Sequence, residues 1–164
     1  MELNTSHILI MAGKRFHKNR LKRRKQNLIA KSILIREKKF IESHFDFLIC
    51  SINKKGLCCT GKYKPTIHSK TYTFRITYDG KYSPDIHVIE PEIEYHDDIH
   101  MYPKGESLCL YHPETDNLQW DSKKHKIYDT IIPWTLEWFV YYELYLITGK
   151  WEHPFVPHRS SKAK

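Results

Sequence analysis

The stretch KTYTFRITYDG, Lys70 to Gly80, alternates between two faces. Tyr72, Phe74, Ile76 and Tyr78 point one way, and Thr71, Thr73, Arg75 and Thr77 point the other. Aromatic and β-branched residues at a period of two predict a half-buried strand. Asp79-Gly80 ends it with turn chemistry. FDFLICSI (Phe45–Ile52) and GLCCTGKYKPT (Gly56–Thr66) before it, and DIHVIEPEIEY (Asp85–Tyr95) after it, read the same way. Pro91 bars a central ladder position in the last of these. Three or four consecutive strands with short turns predict an antiparallel meander.

Helical patterns flank the meander. HKNRLKRRKQNLIAKSILIREKKFIESHF, His17 to Phe45, carries Ile29, Ile33, Leu34, Phe40 and Ile41 at helical steps, with Lys and Arg on the other face. The first dozen residues read as a loose end. After the meander, IIPWTLEWFVYYELYLITGKW (Ile131–Trp151) has Pro133 in a first turn and Gly149 at an end. Trp134, Trp138, Tyr141 and Tyr145 step along one face, and apolar residues fill most of the rest, so this helix is expected to be buried in the domain or under a partner. The order predicts an α+β domain with helices against one sheet.

With 164 residues, 40% of them hydrophobic, the chain suits one globular domain. Residues 1–20 are expected to form a flexible basic extension, 21–155 the domain, and 156–164 a flexible tail. No apolar run reaches the roughly 18 to 20 residues that span a bilayer. The N-terminal apolar patch precedes its basic residues, unlike a secretory signal, so a soluble, cytoplasmic protein is expected. Net charge is +8. Twelve Lys and Arg against the single acid Glu37 fall between Lys14 and Lys39. That segment suits a solvated helix face, or else contact with an acidic partner or nucleic-acid phosphate. No base-reading signature accompanies it, so nucleic acid binding through residues 14–39 is the less favoured reading.

Residues 95–126 lack sustained periodicity, and a loop of that length is usually functional. It contains KGESLCLYHP, Lys104 to Pro113. Cys109 there is core filler, metal ligand or nucleophile. It follows a Gly-Glu-Ser turn signal, on backbone expected to be accessible, with His100, Lys104, His112 and His125 near in sequence. Cys50, Cys58 and Cys59 lie in strand-like runs and read as reduced core thiols. No C-x-x-C pair supports zinc. HDDIH places His96 and His100 four apart, but prolines on both sides argue against a metal-binding helix. His153 and His158 read as surface residues of a proline-stiffened tail. No glycine-rich phosphate cradle is present, which disfavours nucleotide hydrolysis or transfer by this chain.

The order of elements together with HMYPKGESLCLYHP resembles the ubiquitin-conjugating enzymes. In that family an N-terminal helix and a four-strand meander precede a His-Pro-Asn loop, a glycine turn and the active-site Cys-Leu. His100, Pro103, Gly105 and Cys109-Leu110 stand here in that order. PWTLEWFVYYELYLITGKWEHP is similar to the Trp-rich helix, Thr-Gly-x-Trp and His-Pro of bacterial members, in particular those of type II, short-operon CBASS antiphage systems.

The resemblance implies a ubiquitin-conjugating-enzyme-like fold with an active-site loop and a buried aromatic C-terminal helix. It implies a cysteine-dependent acyl transferase whose partner is a cGAS/DncV-like nucleotidyltransferase. That partner's C-terminus would be thioester-linked to Cys109 and passed to an acceptor protein lysine, priming cyclic-nucleotide signalling. No metal or organic cofactor is implied. Trp134, Trp138 and Tyr141 would contact the partner. One departure is the missing Asn, whose amide supports the oxyanion in the family; His100, Tyr102, Ser107 and backbone amides near Cys109 are the substitutes, and His112 is a candidate base for the incoming amine. Rival readings are an inert docking scaffold of the same fold, a basic nucleic-acid binder and a cysteine hydrolase.

Overall fold

A computed structural model describes residues 5–96, 98–103, 106–111 and 118–153, with side chains from Asn19 onward. The elements run α1 (Thr5–His44), β1 (Leu48–Asn53), β2 (Gly56–Tyr63), β3 (Tyr72–Tyr78), β4 (Asp85–Glu90) and α2 (Ile131–Thr148). The four strands form one antiparallel sheet in the order β1-β2-β3-β4. The expected α+β class, meander and flanking helices are all present. Among the described residues no helix is long and apolar enough to cross a membrane.

The helix α1 starts at Thr5, so the stretch expected as a loose extension is helical from there on. Residues 5–17 contain no proline, and Ile8, Leu9, Met11 and Ala12 tolerate a helix well. Residues 19–29 are exposed on every side, including Ile29, which the sequence pattern assigns to the buried stripe. Contact with the body begins at Ala30, and Ile33, Leu34 and Ile41 enter the core. Gly80, at φ 83°, lets the chain pass against α1: a Cβ there would lie 3.0 Å from the Ala30 carbonyl oxygen. Gly56 closes the β1–β2 hairpin at φ 135°, where a Cβ would come within 2.1 Å of the Tyr78 carbonyl oxygen.

Alternation on β3 sends Tyr72, Phe74, Ile76 and Tyr78 into the core, as their spacing predicts. They share it with Ile131, Ile132 and Phe139 of α2. Phe139 stacks on Tyr72 at 4.8 Å, and the Tyr72 hydroxyl donates to the Glu143 carboxylate. The loop before α2 is tied to α1 through Glu37, which is 1% exposed. Its carboxylate accepts from the Ile127 amide at 2.8 Å and from the Arg36 guanidinium at 2.5 Å. Arg36 also donates to the Ser122 carbonyl at 2.9 Å.

Two sequence expectations are corrected. Cys50 and Cys59 are joined by a disulfide rather than reduced. They are direct partners in the β1–β2 register, both on the inward face, with Cα atoms 4.1 Å apart. Cys58, one residue on, faces the other side and keeps its thiol. The helix α2 is capped as expected: Gly149, at φ 71°, donates its N–H to the Tyr145 carbonyl at 2.8 Å. It is not buried all round, however. Val140, Leu144 and Ile147 form an exposed stripe, because a helix laid on one sheet buries one face only.

Candidate functional site

Pro91 stops β4 at Glu90, as the sequence predicts, and the chain then returns along the sheet edge without forming a named strand. Ser107 and Leu108 add to that edge: Ser107 bridges His87, and the Leu108 amide donates to the Ile86 carbonyl at 2.8 Å. On its other side Leu108 bridges Met101. The flanking pairs close the ladder, with Tyr102 N–H on the Ser107 carbonyl and Cys109 N–H on the His100 carbonyl, each at 2.9 Å. This pairing explains why a segment without periodicity is nevertheless ordered here. Its strands are too short to show a pattern.

The ladder sorts side chains by face. Met101 and Leu108 enter the hydrophobic core. Alternation therefore puts His100, Tyr102, Ser107 and Cys109 together on the opposite face. Four of the five sequence-predicted site residues are thus neighbours. The fifth, His112, lies outside the described residues, as do Lys104 and Gly105.

Cys109 corrects one expectation. It is 2% exposed rather than on open backbone. Ladder bonds hold its strand, and its thiol approaches the Tyr111 carbonyl oxygen at 3.8 Å. The Tyr111 ring lies 5.8 Å from that of Trp134, and its hydroxyl pairs with Ser83 at 2.7 Å. A cleft of 270 Å³ reaches the neighbours of the thiol, bounded among others by Asp85, Tyr102, Ser107, Leu108, Leu110 and Tyr111. Tyr102 is 38% exposed at this cleft. Burial, and then the neighbouring Cys109, raise its phenol pKa above the ordinary value of 10, so it stays protonated through the neutral range.

The other candidates are placed as follows. The ring of His100 stacks on Trp151 at 5.8 Å. His125 accepts from the Asp121 amide at 2.9 Å and lies against Trp120, in the loop tied to α1. His96 and Asp98 pair at 3.2 Å on the surface.

Of the aromatic residues expected to meet a partner, Trp138 is 4% exposed and is removed from that role. Its indole N–H donates to the His100 carbonyl at 3.1 Å, a core contact that the one-face spacing of the helix could not distinguish from a docking stripe. Trp134 and Tyr141 are half-buried, Tyr141 against His153 at 4.6 Å. The sequence reading passed over the exposed Val140, Leu144 and Ile147, although their steps of four and three carry the signal.

A search of curated proteins finds no match. Residues 37–159, most of the chain and all of the Cys109 ladder, match the family described as Type II CBASS E2 protein. The chain belongs to that family.

Proposed function

We propose that the protein is the acyl carrier of a CBASS antiphage system, a cytoplasmic cysteine-dependent transferase with a ubiquitin-conjugating-enzyme-like fold. Cys109 as thiolate attacks the activated C-terminal carbonyl of a cGAS/DncV-like nucleotidyltransferase. A carbon–sulfur bond forms and the activating group leaves with its electron pair. A lysine amine of an acceptor protein then attacks the thioester, the carbon–sulfur bond breaks, and the surplus amine proton passes to a base. Sulfur suits this work because it is both nucleophile and leaving group. The step asks for positioning and oxyanion support, with no metal or organic cofactor.

The observation that supports this reading is the ladder on the edge of β4, which gathers Cys109, Tyr102, Ser107 and His100 on one face in a chain of this family. At 2% exposure the thiol must be uncovered when the partner arrives. Its neighbours on the 270 Å³ cleft mark the direction of approach. Trp134, Tyr141 and the exposed Val140, Leu144 and Ile147 on α2 supply the docking surface.

The same burial favours a second reading, an inert scaffold that docks the nucleotidyltransferase without taking up its C-terminus. Intact-mass analysis of the protein co-expressed with its operon neighbours separates the two. The carrier reading expects a reductant-labile adduct that disappears in Cys109→Ala while partner binding persists. A complex that forms with no adduct under any condition, and antiphage protection unchanged by Cys109→Ala, would leave only the scaffold.

A further inference from the structure

We infer that Tyr102 is the catalytic donor that supports the oxyanion formed when an amine attacks the thioester on Cys109. The inference rests on the carrier reading above and goes on to name which group replaces the absent amide.

Position comes first. Tyr102 sits diagonally across the ladder from Cys109, on the same face, with both backbones fixed by 2.9 Å hydrogen bonds. Diagonal neighbours lie within reach of an aromatic side chain but not of a short one. Tyr102 also borders the cleft together with Leu108 and Leu110, the residues on either side of Cys109. Ser107 shares the face and the strand of Cys109, but residues two apart on a strand are separated by roughly 6.5 Å, too far for a hydroxymethyl group to bridge. The His100 ring is directed onto Trp151.

Protonation comes second. A donor must keep its proton while the oxyanion forms, and the raised phenol pKa keeps it on Tyr102. The same shift disqualifies Tyr102 as the base for the amine.

Access comes third. Tyr102 borders the cleft that Cys109 itself does not line, so an amine entering there meets the phenol before the thioester. As nitrogen bonds to the carbonyl carbon, the π pair moves to oxygen, and the Tyr102 hydroxyl donates a hydrogen bond to it without losing its proton. The carbon–sulfur bond then breaks and the pair returns to Cys109, while the ammonium proton leaves to solvent base.

The test co-expresses the full chain with its operon neighbours, isolates the thioester on Cys109 and follows its discharge to free lysine by intact mass. Tyr102→Phe is expected to acquire the acyl group and to discharge it about a hundredfold more slowly, the size of effect seen when one oxyanion donor is removed. Tyr102→Gln, which restores a donor, is expected to recover part of that loss. Difluorotyrosine at position 102 keeps the shape with a more acidic hydroxyl, and is expected to shift the discharge rate and its pH profile even where Tyr102→Phe does not fold. Discharge by Tyr102→Phe at the parent rate overturns the role of Tyr102 and leaves the carrier reading standing. Equal slowing in the Phe and Gln variants, with no effect of fluorination, makes Tyr102 a packing residue. Failure of the parent protein to acquire any acyl group overturns both.

Discussion

Trp138 donates its indole N–H to the carbonyl of His100 at 3.1 Å. The amide of Cys109 donates to that same oxygen at 2.9 Å. One acceptor thus joins the core helix to the backbone of the candidate nucleophile. Trp138 also stacks on Tyr142 at 5.1 Å and lies 5.6 Å from Trp151, which supports the His100 ring. Trp138→Phe keeps much of the packing and removes the donor. It is expected to cost about 1–2 kcal/mol, most of it from the lost hydrogen bond. Because the bond acts on the Cys109 ladder, amide exchange at Cys109 should quicken by more than at β2 or β3. A denaturation midpoint equal to the parent's, with exchange unchanged, would show that the shared acceptor does not hold the loop.

Glu37 closes the loop before α2 from the opposite side. Its buried carboxylate meets the Ile127 amide at 2.8 Å and Arg36 at 2.5 Å. Arg36 keeps 32% of its side chain in solvent, whereas Glu37 keeps 1%. The two partners are therefore unequal. Glu37→Ala leaves the buried Ile127 amide without its acceptor and is expected to cost about 1–2 kcal/mol, while Arg36→Ala leaves the buried carboxylate without its cation and is expected to cost about 3–5 kcal/mol. Urea denaturation of the two variants measures the ratio, and equal losses would refute the asymmetry.

The sheet was legible in the sequence because β3 alternates cleanly, with all four inward side chains of its spacing buried. The capping of α2 by Gly149 was legible for a similar reason: a single residue type supplies the left-handed turn. The site was legible only as residue types. Cys109, Tyr102, Ser107 and His100 come together through two isolated bridges, and pairings that short leave no periodicity to read. Exposure was the least legible property. A turn signal ahead of Cys109 suggests open backbone, yet that backbone pairs at the strand edge and the residue is buried. The α1 start was missed because the run Ile8–Ala12 is apolar without helical spacing, although its residues tolerate a helix.

The register of the first hairpin, which sets Cys50 directly opposite Cys59, makes their disulfide testable. The oxidised protein should present two reactive thiols after denaturation without reductant, from Cys58 and Cys109, and four after reduction. The bond closes a loop of nine residues' separation. Loop entropy then gives about 2–3 kcal/mol of stabilisation. For a chain of this size that is a fall of about 5–10 °C in Tm on reduction. The double variant Cys50→Ala, Cys59→Ala should start at the lower value and ignore reductant. Four reactive thiols in the unreduced protein would mean that the pair stays open in solution.

Four phenols, those of Tyr72, Tyr78, Tyr102 and Tyr142, are held above their ordinary pKa, in each case chiefly by burial. Tyr72 shows the consequence most clearly, since its ring is wholly buried and its hydroxyl donates to Glu143. In the unfolded chain Tyr72 ionises near 10, while in the folded chain it keeps its proton well beyond that. Above pH 10 the folded state therefore binds more protons than the unfolded state, and stability falls as pH rises. Below pH 10 both states are protonated, and the Tyr72 contribution is fully present. The limiting slope from one such residue is about 1.4 kcal/mol per pH unit. Phenolate absorbance should thus lag in the native protein and rise abruptly with unfolding. Tyr72→Phe should be less stable at neutral pH, having lost the bond to Glu143, and should show a shallower alkaline decline. Smooth ionisation of all tyrosines near pH 10, with the helix signal intact, would show that burial does not hold these protons.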